Sequence, residues 1–158
     1  MDLELRGRNA VVTGCSVGIG REIARVLAAE GVPTLVVARR GELLKTLQDE
    51  IEGAGGVRPH ALAIDLADRS APARVRDEAL ERLGRVDILV NNAGGSRPTA
   101  VDAADSVWDE SFAINFSAVR KLTQALLPGM IERRWGRIIN VTGTSEPAGT
   151  NFPAFQPR

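Results

Sequence analysis

The chain has 158 residues, of which 44% are hydrophobic and 25% charged, a globular composition that excludes a disordered chain and sets one domain with a single core. Twenty Lys and Arg balance twenty Asp and Glu, so no overall field recruits nucleic acid or an anionic membrane. The mixed-charge start Met1-Asp2-Leu3-Glu4-Leu5-Arg6 lacks a signal-peptide core, no apolar run reaches the about 18 residues that span a bilayer, and lone Cys15 excludes an internal disulfide; together these predict a cytoplasmic protein.

In chain order, short apolar runs alternate with amphipathic stretches. Asn9-Ala10-Val11-Val12-Thr13 predicts a buried strand. A helix follows from Ile19 to Glu30, with Ile23, Ala24, Val26 and Leu27 on its apolar stripe and Gly31 as its stop. Thr34-Leu35-Val36-Val37-Ala38 is a second strand, and Gly41 to Gly53 a second helix with Leu43, Leu44, Leu47 and Ile51 at helical spacing. His60 to Ile64 is a weaker third strand because alanine has low β propensity, and His60 reads as a structural or surface histidine. Pro72 to Leu83 forms a helix that tolerates proline in its first turn. Val86-Asp87-Ile88-Leu89-Val90 is the fourth strand. One long helix is predicted from Ser106 to Arg133, capped by Asp105 and kinked or ended early by Pro128. Arg137-Ile138-Ile139-Asn140-Val141 is the fifth strand.

This βαβα alternation predicts an α/β doubly wound parallel sheet of five strands, order 3-2-1-4-5, with helices on both faces. Residues 1–145 form the domain, and Glu146 to Arg158, with Pro147, Pro153 and Pro157, forms an irregular tail.

The stretch Thr13-Gly14-Cys15-Ser16-Val17-Gly18-Ile19-Gly20 joins the first strand to the first helix. A helix N-terminus presents unsatisfied N–H groups and partial positive charge, which suits a diphosphate. Gly14 permits the tight turn, Gly18 clears the phosphate approach, and Gly20 lets helix and strand pack closely. The alternative is a plain strand–helix turn. No Lys-Ser or Lys-Thr closes the loop, which excludes the phosphate loop of nucleotide hydrolases.

The second strand ends in Ala38-Arg39-Arg40-Gly41, where an NAD binder usually places Asp or Glu. A guanidinium can clamp a phosphate and stack on adenine, so Arg39 and Arg40 predict NADP(H) over NAD(H), although NAD(H) is possible. The alternative is a pair of ordinary surface charges. No metal is implied.

The Gly-x-x-x-Gly-x-Gly spacing and Asn91-Asn92-Ala93-Gly94 resemble the short-chain dehydrogenase/reductase family, in its 3-oxoacyl reductase-like members. Asp65 and the Asn115 of Phe112-Ala113-Ile114-Asn115-Phe116 match the same pattern, over about Leu5 to Val141. The resemblance implies that Gly14, Ser16, Gly18, Ile19 and Gly20 line a pyrophosphate. Asp65 and Leu66 would contact adenine, and Asn92, Ala93 and Gly94 would flank the adenosine ribose. Asp65 also reads as a helix N-terminal residue, and Asn115 as a helix-interior Asn bonded to nearby backbone.

The resemblance further implies hydride transfer between the nicotinamide and a small-molecule alcohol or ketone. In the family a Tyr donates the proton, a Lys four residues later lowers its pKa, a Ser beyond the fifth strand positions the substrate oxygen, and an Asn at the place of Asn115 supports a water relay. Here the Ser position falls on Gly143, with Thr144 and Ser145 as weak substitutes. There is no tyrosine, and the last lysine is Lys121. The expectation is therefore an oxidoreductase chain that is truncated and inactive alone, the alternative being a catalytically silent dinucleotide-binding module. The glycine spacing disfavours a methyl transferase. The fifth strand, left as an edge, leads us to expect a homo-oligomer or a self-associating chain.

Overall fold

A computed structural model of the chain describes residues 3–95, 100 and 102–143. The elements run β1 (Ala10–Thr13), α1 (Gly18–Ala29), β2 (Thr34–Ala38), α2 (Gly41–Gly53), β3 (His60–Ala63), α3 (Ala71–Leu83), β4 (Ile88–Asn91), α4 (Asp105–Phe112), a π-helical turn (Ala113–Ser117), α5 (Ala118–Glu132) and β5 (Arg137–Asn140). The five strands pair in the order β3-β2-β1-β4-β5, all parallel, as the alternation predicts. The irregular tail predicted from Glu146 onward lies outside the described residues.

Two cores follow from the two-residue period of the strands. Ala10, Val12, Val36, Ala38, Ile88 and Val90 face Ala24, Leu27 and Ala28 of α1 and Leu44, Leu47 and Ile51 of α2. Val11, Leu35, Val37 and Leu89 face Val75 and Ala79 of α3 and Leu122, Leu126 and Met130 of α5. Central strands buried on both faces read as unbroken apolar runs, which is why β1 and β2 are so plain in the sequence. β3 is an exposed edge strand, and His60 lies on the surface.

Three expectations need correction. Val26 is 53% exposed, because the α1 stripe that meets the sheet is narrower than the run of apolar residues. Asp105 is the first residue of α4 and not its cap, a place taken by Ala104. The single long helix is broken by the π turn, where the Ala118 N–H donates to the Ala113 carbonyl five residues back. Pro128 sits inside α5, which continues to Glu132.

The sheet edge at the strand N-termini is closed by Asp87, which is 1% exposed. Its carboxylate accepts the Asn9 N–H at 3.0 Å and Arg85 Nε at 3.1 Å, with Arg133 Nε at 3.7 Å. Beside it Trp135 lies under the guanidinium of Arg8, 3.7 Å from the ring centre.

Leu35 is fully buried on the central part of the sheet. Leu35→Ala should lower the unfolding free energy by about 2–5 kcal/mol in urea denaturation, through lost burial and a residual cavity.

Candidate functional site: a glycine turn at the strand C-termini

In an all-parallel sheet every loop that follows a strand reaches the same edge. The glycine turn after β1, Arg39 and Arg40 after β2, Asp65 after β3 and Asn92 to Gly94 after β4 therefore share one rim. The crevice between β1 and β4, where strand order reverses, is where doubly wound sheets bind ligands.

Two glycines in the turn are needed for packing. Gly14 has φ +74°, and a Cβ there would come within 2.9 Å of the Ala93 Cα. A Cβ on Gly20 would lie 2.5 Å from the Gly14 carbonyl oxygen and also strike the Asn92 carboxamide. Gly18 differs. Its φ is +66°, yet a Cβ there would meet nothing within 4 Å. Space is thus open over the start of α1. That helix has no side-chain cap hydrogen bond and no acid in its first turn. A helix end with neither usual compensation leaves N–H donors and partial positive charge facing that space.

The β4 loop is fastened to the turn. Thr13 Oγ1 accepts the N–H groups of Asn92 and Ala93, each at 3.0 Å, and donates to the Val90 carbonyl at 3.3 Å. Asn92 Nδ2 donates to the carbonyls of Thr13 at 3.1 Å and Gly14 at 3.3 Å. Gly94 has no room for a side chain, since its Cβ would meet Asn115 Oδ1 at 2.8 Å. Asn115 in turn accepts the Gly95 N–H at 3.0 Å and donates back to the Gly95 carbonyl at 2.9 Å. It also donates to the Ser111 carbonyl at 3.0 Å, the acceptor an α-helix would give to the Asn115 backbone. The π turn spans this point.

Other predicted residues fall in varied settings. Arg39 and Arg40 are exposed, and Arg40 Nη2 donates to Ser16 Oγ at 3.2 Å. Ile19 is 57% exposed beside the turn. Asp65 accepts the Ala67 N–H at 2.9 Å in a tight turn. Leu66 is 6% exposed and packs into the core beside α3, which leaves only its backbone for a ligand. Gly143 is exposed just past β5, while Thr144 and Ser145 lie outside the described residues. Among the described residues no group of three or more His, Cys, Asp or Glu could hold a metal, and no helix is long and apolar enough to cross a membrane.

Sequence reasoning missed two groups. Asn91 is buried at the end of β4, where Nδ2 donates to Asn140 Oδ1 at 2.9 Å and ties β5 in place. Arg21, directly after the last glycine, joins the turn to α2. The polar residue ending an apolar strand signals the first; no local pattern signals the second.

A family model described as short chain dehydrogenase matches residues 8–154. The chain belongs to the short-chain dehydrogenase family. Nodulation protein G of Rhizobium sp. (strain N33) is 41% identical over 156 residues, covering 96% of this chain and 62% of that protein. A 3-oxoacyl-[acyl-carrier-protein] reductase of Aquifex aeolicus (strain VF5) is 34% identical over 143 residues, covering 90% of this chain and 58% of its own length. A metagenomic short-chain oxidoreductase crystallised with NADP superposes with a TM-score of 0.87 at 37% identity, over 95% of this chain and 69% of that one. The chain thus spans less than two thirds of the length of these curated relatives.

The two kinds of glycine predict different failures. Gly20→Ala should lower the melting temperature sharply, since backbone and the Asn92 side chain both resist the added methyl. Gly18→Ala should fold with a loss of only about 1–2 kcal/mol from its left-handed backbone.

Cys15 is fully buried, and burial pushes its thiol up to about 12 from an ordinary 9.0, against smaller opposing effects of the Val37 N–H and Arg21. It stays protonated, so iodoacetamide at pH 8 should leave the native thiol unmodified and label it only after denaturation. Because the folded value exceeds the unfolded one, this thiol's contribution to stability is full below pH 9.0 and is lost as pH rises toward about 12.

Proposed function

We propose that this chain supplies the dinucleotide-binding part of an NADP(H)-dependent oxidoreductase acting on an alcohol or ketone. The observation that carries the reading is the open space over Gly18 above an uncapped, acid-free helix end. The residues fit a pyrophosphate there, because the α1 amides offer donors and nothing in the first turn repels an anion. Gly14, Ser16, Gly18, Ile19 and Gly20 would line it. Asn92, Ala93 and Gly94 would flank the adenosine ribose, with Asp65 and the Leu66 backbone beside the adenine.

Arg39 and Arg40 would hold the 2′-phosphate, and the exposed guanidinium of Arg39 has no hydrogen bond or ion pair of its own among the described residues. The metagenomic relative crystallised with NADP supports that preference. NADP(H), when bound, supplies or accepts the hydride. Asn115 holds the loop that borders the crevice; by the family resemblance the substrate-positioning Ser would fall on Gly143, with Thr144 and Ser145 as the substitutes in sequence.

These 158 residues contain no tyrosine, and that observation favours a second reading, a binding module without catalysis of its own. The exposed edge of β5, with Ile139 48% accessible, supports self-association, which light scattering would register as a mass above one chain. A cytoplasmic setting suits a chain whose cysteine is buried and free.

Fluorescence titration tests the reading directly. NADPH should bind at least about tenfold more tightly than NADH, the worth of one charge-assisted phosphate contact, and Arg39→Met with Arg40→Met should erase the difference. Tighter NADH binding would reverse the cofactor assignment. Failure of both nucleotides to raise the melting temperature would overturn nucleotide binding altogether.

A further inference from the structure

We propose that Arg21 is a positioning residue that fixes the distance between the diphosphate turn and the arginine pair after β2, and so sets the discrimination between phosphorylated and unphosphorylated dinucleotides. The proposal rests on the nucleotide-binding reading above.

Arg21 lies in the second turn of α1, where a cation opposes the helix dipole and gains nothing locally. Its guanidinium turns away from solvent, with the side chain 14% exposed. Nη1 donates to the Ser16 carbonyl at 3.3 Å and to the Leu43 carbonyl at 3.0 Å. Nη2 pairs with Glu50 Oε1 at 2.8 Å. One planar group therefore spans the glycine turn, the first turn of α2 and the body of α2.

The connection that carries Arg39 and Arg40 leads directly into the first turn of α2, where the Leu43 anchor lies. Arg40 closes the circuit by donating to the Ser16 hydroxyl. The site for the diphosphate and the site for a distal phosphate are thus held at one separation by Arg21, which need not touch either. A lysine has its three donors on one nitrogen and does not reproduce the planar spread by which Nη1 meets the carbonyls and Nη2 the carboxylate. Arg25 provides the internal contrast. It also pairs with Glu50, at 3.3 Å, yet its side chain is 47% exposed and its recorded partners are the carboxylates of Glu50 and Glu22.

The test compares Arg21→Lys, Arg21→Met and Arg25→Met with the unaltered chain, measuring dissociation constants for NADPH and NADH by fluorescence and melting temperature alongside. Arg21→Lys keeps the charge, so a folded protein is available even where Arg21→Met is unstable. Both Arg21 variants should weaken NADPH by about tenfold and NADH by under about threefold, as expected for a misplaced phosphate partner. Arg25→Met should leave the ratio of the two constants unchanged. In an Arg40→Met background, Arg21→Lys should no longer move that ratio, because the two residues act through one circuit. Equal weakening of both nucleotides, an unaltered ratio, or the same change in Arg25→Met would overturn the positioning role while leaving nucleotide binding intact. If the unaltered chain binds neither nucleotide, the underlying reading fails instead.

Discussion

The close approach of the β1–α1 turn to the loop after β4 is the constraint on which the remaining geometry depends. It is enforced from both sides. Gly14 and Gly20 remove the atoms that would hold the two segments apart. Thr13 and Asn92 supply the hydrogen bonds that hold them together. Each of these polar groups is partnered, as groups removed from water must be, and among the described residues no buried side-chain nitrogen or oxygen lacks a partner. With those contacts satisfied internally, the donors facing the rim include those of the α1 end and the guanidinium of Arg39. The crevice is therefore close-packed at its base and lined with hydrogen-bond donors where it is open.

A second clamp extends the same logic. Asn115 binds the backbone of Gly95 in both directions, from within the π turn that joins α4 to α5. The loop that borders the crevice is thus tied to the helical segment that leads into α5.

Much of this architecture was legible in the sequence because burial on both faces leaves an unambiguous record. Val11, Val12 and the run Leu35 to Val37 could only be central strands, and their alternation with amphipathic stretches dictated order and handedness. The glycine turn was legible for a similar reason, since few conformations need three glycines at that spacing. What escaped the sequence was decided by tertiary contact. Apolar periodicity cannot say that Val26 turns outward while Leu27 turns in, because the width of the buried stripe depends on which strands lie beneath it. The partner of Asn115 in the π turn lies in a loop twenty residues upstream, which no local pattern announces. The family resemblance makes Leu66 an adenine contact without saying that its side chain turns into the core. Arg21 resembles any helix-surface arginine until the carbonyls it reaches are known.

The far edge of the sheet works in the opposite manner. There Asp87 gathers the approach to β1, the approach to β4 and the exit of α5 onto one desolvated carboxylate. Three distant stretches of sequence are sutured by a single acid, away from every loop that meets the crevice. The same strands are consequently fastened at both ends, by a buried acid at one and by close-packed glycines at the other. β1 and β4 are thus pinned twice, and a change at either end leaves the other fastening in place.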